Sequence, residues 1–281
     1  MQRRVQAVRI RTTPPAMSVM PGLRSTLIAM AMTVTMAVAL AAPGRALAQA
    51  PQAPAAPAPP TGPPPVWTGS FGAGLAVTDG NSDTSNFNVT AKVIYDPTNP
   101  NLALVEALYI RGSSEGETTV ARTALNVRDD YSLTPRISLF GQFRYLRDEF
   151  KGIEYLAAPG TGISFKVVNL ERTKFNIDAG PGVVWEKNTG VDSTHTSGAI
   201  TIGENFAHQL TGTTTITHAA TGLWKTADFD DSFFTVSAGL AAALNSRMQL
   251  KVEVLELYKS LPPPGKQSQD LSFLTSVVYS F

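Results

Sequence analysis

Three histidines, His195, His208 and His218, are the only imidazoles in the 281-residue chain, and cysteine is absent. Disulfides, cysteine-ligated zinc and a thiol nucleophile are therefore excluded, and a cysteine-free chain suits an oxidising periplasm. The histidines fall in a polar loop (His195), at a tight turn (His208) and within a strand (His218), so they do not converge as a metal triad. Serine–histidine hydrolysis on a strand surface needs a serine beside a histidine on one face. The neighbours of His218 are Thr213, Thr214, Thr215 and Thr217, and its strand holds no serine. Asp79, Asn81, Asp83 and Thr84 open like a calcium loop but lack the bidentate glutamate that completes one. They read as an exposed acidic loop, with divalent-cation contact to lipopolysaccharide as the alternative. The expectation is a non-enzymatic chain without cofactor or metal site.

Charged residues carry a second kind of chemistry. Arg147, Asp148 and Glu149 leave a strand for a loop, with Lys151 and Glu154 nearby. They read as a rim salt-bridge cluster, which contributes little to stability, or as a charged constriction. Arg122, Asn126, Arg128 and Asp130 alternate along one segment, and Gln142, Arg144 and Asp148 along the next. Unpaired charges in a dry core cost several kcal/mol each; a wet lumen removes that cost. Arg122, Arg128 and Arg144 are the candidates for a luminal constriction, narrowest near Arg122 and Arg144.

Strands must position these residues. From Trp67 onward apolar residues recur with period two between regular turn signals. The segments are 67–77, 85–95, 102–112, 118–131, 136–148, 154–168, 174–186, 197–208, 212–225, 231–244, 248–260 and 270–281. That makes about twelve strands of ~10–15 residues, enough for the ~9–11 that a tilted membrane strand needs. A soluble sandwich or lipocalin-like barrel would turn the apolar face inward; an outer-membrane barrel turns it to lipid. Connections alternate between short turns, such as 132–135, 209–211 and 245–247, and longer polar loops, as outer-membrane barrels require. All three Trp and all seven Tyr lie near strand ends, where membrane interfaces favour them. The fold class is all-β: a transmembrane up-and-down antiparallel β-barrel of about 12 strands. Glu106, Glu204 and Glu256 break the pattern by falling on the face assigned to lipid, the last unless a bulge near Leu255 shifts the phase.

The segments before the barrel read as an address and a spacer. Arg24 precedes the apolar run Leu27–Ala42, and Ala46-Leu47-Ala48 has the small-x-small form of a signal-peptidase site. Cleavage is expected after Ala48, making 1–48 a signal peptide, with Met17 or Met20 as the alternative start. Residues 49–66 form a Pro/Ala-rich periplasmic linker, and 67–281 the barrel. The chain closes on alternating residues ending in Tyr279 and Phe281. In outer-membrane barrels the terminal aromatic strand closes the sheet and is the signal read by the barrel assembly machinery.

Several stretches together resemble the salt-induced outer-membrane protein family, domain of unknown function 481. They are Gly80-Asn81-Ser82-Asp83-Thr84, then Tyr145 to Phe150 through Gly152-Ile153 to Tyr155, then Gly160-x-Gly162. Gly180-Pro181-Gly182 followed by Glu186 comes next, and Tyr258, Pro263-Pro264-Gly265, Asp270 and Tyr279-Ser280-Phe281 complete the set. The match covers roughly 67–281. The resemblance implies a bacterial outer-membrane barrel and no reaction.

The expected function is an integral barrel of the Gram-negative outer membrane: a narrow or constricted pore, or a structural or stress-related envelope protein. Alternatives are a lipid-acting outer-membrane enzyme and a soluble periplasmic barrel for an apolar ligand. Expected partners are outer-membrane lipids, lipopolysaccharide and the assembly machinery. The net charge of +1 gives no case for nucleic acid.

Overall fold

The alternating segments form twelve antiparallel strands. The structure is a computed structural model that describes residues 66–78, 84–97, 100–114 and 116–281. The expected leader, nearly all of the linker and the Asp79–Asp83 stretch lie outside the described residues. The strands are β1 (Trp67–Thr78), β2 (Thr84–Tyr95), β3 (Asn101–Ser114), β4 (Glu117–Ser132), β5 (Ile137–Asp148) and β6 (Ile153–Asn169). They continue as β7 (Thr173–Asn188), β8 (His195–Gln209), β9 (Thr214–Lys225), β10 (Asp228–Ala243), β11 (Met248–Lys259) and β12 (Gln269–Ser280). Each pairs with its sequence neighbours, and β1 pairs with β12, so the sheet is a closed up-and-down barrel. Closure gives every strand a partner on both sides.

The closing seam is shorter than the others. β1 and β2 pair along their whole length, but β1 meets β12 only over Ser70–Ala73 and Val277–Ser280. Phe281 extends this seam. Its N–H donates to the Gly69 carbonyl and its carbonyl accepts from Gly69 N–H, both at 3.0 Å. The Phe281 ring covers Gly69, where a Cβ would collide with it.

At the end that carries the chain terminus, side chains cap the tight turns. Thr134 Oγ1 accepts from the N–H groups of Arg136 and Ile137, Thr211 Oγ1 from Thr213 and Thr214, and Asn245 Oδ1 from Arg247 and Met248. Such Asx and Ser/Thr turns satisfy donors that a tight connection leaves unpaired. The opposite end carries the longer connections and is called the loop end below.

Alternation sorts the side chains. Phe71, Val105, Val127, Ile163, Ile200 and Phe273 stand exposed on the outer face, forming an apolar band that suits lipid and not water. Trp67 packs on Tyr95 at the terminal end, with ring centroids 4.6 Å apart; Trp224 and Tyr258 flank Phe234 toward the loop end. Among the glutamates expected on the lipid side, Glu106 is instead luminal. It shares the inner face of β3 with Leu108 and Ile110 and meets inward-facing Lys92 at 2.9 Å. β3 is apolar on both faces, so hydrophobic period alone chose the wrong one. Glu204 and Glu256 do face outward. No bulge intervenes at Leu255, since β11 keeps continuous register with both neighbours.

Candidate functional site

The inner face carries the polar chemistry, in two unlike halves. At the loop end, Asp148 ends β5 pointing inward. Its Oδ2 accepts from Arg122 Nε at 2.7 Å, and its Oδ1 accepts from the N–H groups of Phe150 and Lys151, both at 3.1 Å. That Asx arrangement bends the β5–β6 connection (149–152) over the mouth, helped by Gly152 at φ 67°. Lys151 then reaches to the β11–β12 connection. Its ammonium donates to the carbonyls of Ser268 at 2.5 Å and Gln267 at 3.2 Å, and pairs with Asp270 at 3.1 Å. Counting around the barrel, β5 and β6 lie nearly opposite β11 and β12, so this contact spans the bore. Burial pulls the Lys151 ammonium below the ordinary lysine range, against the upward pull of Asp270 and Asp148.

A second ionic group completes this layer. Glu186 of β7 bridges Lys225 of β9 and Lys259 of β11, and Lys225 also meets Asp231 at 2.6 Å. Arg122, Asp148, Lys151, Glu186 and Lys259 are all almost fully buried. Beneath them the lumen is apolar. Leu146, Ile153, Leu156, Val184, Leu223 and Leu257 form one cluster, drawn from β5, β6, β7, β9 and β11. Ile110, Leu255 and Leu274 form another between β3, β11 and β12. Each such side chain contributes on the order of 1.5–3 kcal/mol by leaving water, so the loop-end half of the bore is held as a core.

The terminal half is only partly wet, since Phe140, Asp178 and Ser276 on its inner face are buried. Lys92 and Glu106 pair at 2.9 Å with side chains 44% and 39% exposed although both face inward. Asn126 donates to Glu106 at 3.2 Å, and Lys251 pairs with Glu253 at 2.9 Å. Arg128 is fully engaged. It forks onto Asp130 at 2.8 and 2.9 Å, meets Asp178 at 3.4 Å and lies 4.0 Å over the Phe140 ring. The guanidinium of Arg144 has no carboxylate within ion-pair distance; its charged neighbours are the more distant Asp178, Arg128 and Glu106.

The family model described as protein of unknown function, DUF481, matches residues 71–281. The chain belongs to this family. No curated protein sequence matches it. Among solved structures, a NanC porin is similar at 11% identity and TM-score 0.45, covering 76% of this chain and 96% of that one. A KdgM porin in complex with disordered oligogalacturonate gives 11% identity and TM-score 0.43, covering 76% and 99%. The translocator domain of the autotransporter NalP from Neisseria meningitidis gives 10% and 0.41, covering 92% and 97%. Likeness at this level says nothing about what a lumen passes.

In this family member the three candidate constriction arginines do not form one ring. Arg122 belongs to the dry ionic layer, whereas Arg128 and Arg144 lie in the terminal half. The rim triad is also divided by strand alternation. Arg147 and Glu149 pair at 2.9 Å on the outside, both more than half exposed, while Asp148 turns inward. Lys187 meets Glu154 at 3.0 Å at the rim. The histidines stay apart. His208 Nδ1 meets Thr173 Oγ1 at 2.8 Å, and His218 Nε2 meets Glu204 Oε1 at 3.1 Å on the outer face. Phe206 and Ala220, both nearly fully buried, stand beside that pair. Among the described residues no group of three or more acidic or histidine side chains is placed to hold a metal. The calcium-like Asp79, Asn81 and Asp83 lie outside the described residues.

Lys225, Lys259 and Asp231 had no assigned role in the sequence. The available signal was position: each sits at or near the loop end of a strand on its inner face.

Proposed function

We propose that this chain is an integral barrel of the Gram-negative outer membrane, non-enzymatic, with a gated or strongly constricted lumen. The observation that carries this reading is the contrast along the bore: Lys151 is 0% exposed and Arg122 3%, whereas inward-facing Lys92 is 44% exposed. Water reaches Lys92 and Glu106 in the terminal half and is kept from the ionic layer at the loop end. About eight strands give a filled interior and about sixteen an open channel; at twelve, side-chain size decides, and here large side chains fill one half. The even strand count brings both termini of the barrel to one end, which is read as the periplasmic side with the expected linker, and the Lys151 crossing lies at the outer mouth. Partners are outer-membrane lipids, lipopolysaccharide and the assembly machinery that reads Tyr279 and Phe281.

The test is extraction and migration. The protein should resist salt and carbonate extraction, yield to detergent and run faster on gels unheated than boiled. Release as a soluble protein, with an apolar ligand bound, would support the soluble-barrel reading instead.

A further inference from the structure

The terminal half of the lumen holds polar groups that the fold itself leaves unanswered. The amide oxygens of Gln142 and Asn126 are buried and have no hydrogen-bond partner in the protein. Gln142 as a whole is only 9% exposed, and its position on the inner face of β5 points it into the bore beside Arg144. Asn126 stands directly across from Arg144 in the β4–β5 register. An unpaired acceptor inside a protein costs about 1–3 kcal/mol. Here two acceptors flank one guanidinium without an ion-pair partner.

The wall alongside is built of glycines. Gly160 of β6 pairs with Gln142 of β5 and with Gly182 of β7. Gly162 and Gly180 continue the same inner face. The two strands approach so closely that a Cβ on Gly180 would collide with the Thr161 carbonyl. These four glycines offer no side chain to Arg144 or to the Gln142 oxygen.

We propose that Arg144, Gln142 and Asn126 form a solute site for a small hydroxylated carboxylate, entered from the terminal end of the barrel. The carboxylate takes the Arg144 fork, which presents planar N–H donors suited to it. Hydroxyl groups on adjacent carbons donate to the Gln142 and Asn126 oxygens, which a simple anion cannot satisfy. Arg128 does not compete, because Asp130 and Asp178 already occupy it. The site goes beyond the constricted-pore reading and does not depend on conduction, since a lumen closed at the loop end would bind from the other side.

The test is calorimetric titration of the full refolded barrel with sodium gluconate, with acetate and sorbitol as the half-ligands. Gluconate should bind saturably and more tightly than either. Arg144→Gln should weaken it at least about tenfold, while Arg147→Gln, on the outer rim, should leave it unchanged. If Arg144→Gln loses heat-modifiable migration, Gln142→Leu takes its place and should erase the preference for gluconate over acetate. Absence of saturable binding, equal binding of acetate, or equal loss in Arg147→Gln would overturn the site.

Discussion

Replacing Asp148 with alanine removes the group that turns the β5–β6 connection inward. The side chains of Arg122 and Asp148 are 3% and 1% exposed, so the substitution strands a guanidinium in a dry layer. Breaking such a buried pair costs about 3–5 kcal/mol. Asp270, at 3.9 Å from Arg122 and 34% exposed, offsets part of this, which favours the lower figure of about 3 kcal/mol. Losing the two backbone donations to Asp148 Oδ1 adds about 1 kcal/mol each. At ~1.4 kcal/mol per tenfold, the inward conformation should be disfavoured by between about 100-fold and a few thousand-fold. Ile153, 0% exposed beside this connection, is the reporter. The chain has no cysteine, so Ile153→Cys gives a single thiol whose maleimide labelling follows the population of the opened state when reclosing is fast. Labelling should accelerate by that factor in Asp148→Ala, and less in Asp148→Asn, which keeps an acceptor for the backbone. Equal labelling with Asp148 and with alanine would refute the argument that this carboxylate holds the connection in.

Three further outcomes are expected. Deleting Phe281 should lower outer-membrane levels more than deleting Pro51–Pro65, because Phe281 makes two of the few backbone hydrogen bonds closing the β1–β12 seam; equal levels by immunoblot would count against this. His218→Leu should destabilise the barrel in urea unfolding by about 1–3 kcal/mol, leaving Glu204 buried without its partner. The double change Glu204→Leu/His218→Leu should recover most of that loss, and failure to recover would contradict the lipid-facing placement. N-terminal sequencing of membrane-extracted protein should begin Gln49-Ala50-Pro51; retention of Met20 would exclude cleavage after Ala48.

The barrel was legible because period-two patterning and turn residues are local signals. β1, β7 and β10 alternate cleanly between lipid and lumen, and their boundaries follow. β3 did not disclose its facing, since Val105, Ala107 and Tyr109 on one side compete with Leu104, Leu108 and Ile110 on the other; only the pairing of Glu106 with Lys92 and Asn126 decides it. β11 hid its luminal leucines in the same way. Leu255 and Leu257 share a face with Lys251, Glu253 and Lys259, and Val252 and Val254 on the outside mask them. The candidate site was less legible. Lys151 meets Ser268, and Glu186 meets Lys259, across the bore and far apart in sequence, and no periodicity records which strands face one another. Arg128 and Arg144 look alike along the chain. One is saturated by Asp130 and Asp178 and the other is left without an ion pair, a difference that only the closed barrel creates.

The account rests on a lumen that is filled at one end. Planar-bilayer recording of the refolded full chain tests this most directly. Unmodified protein should show at most a low, infrequent conductance, and Asp148→Ala should raise the open probability or conductance. A large, steady, ohmic conductance in the unmodified protein would contradict the filled lumen and the gating role assigned to its ionic layer.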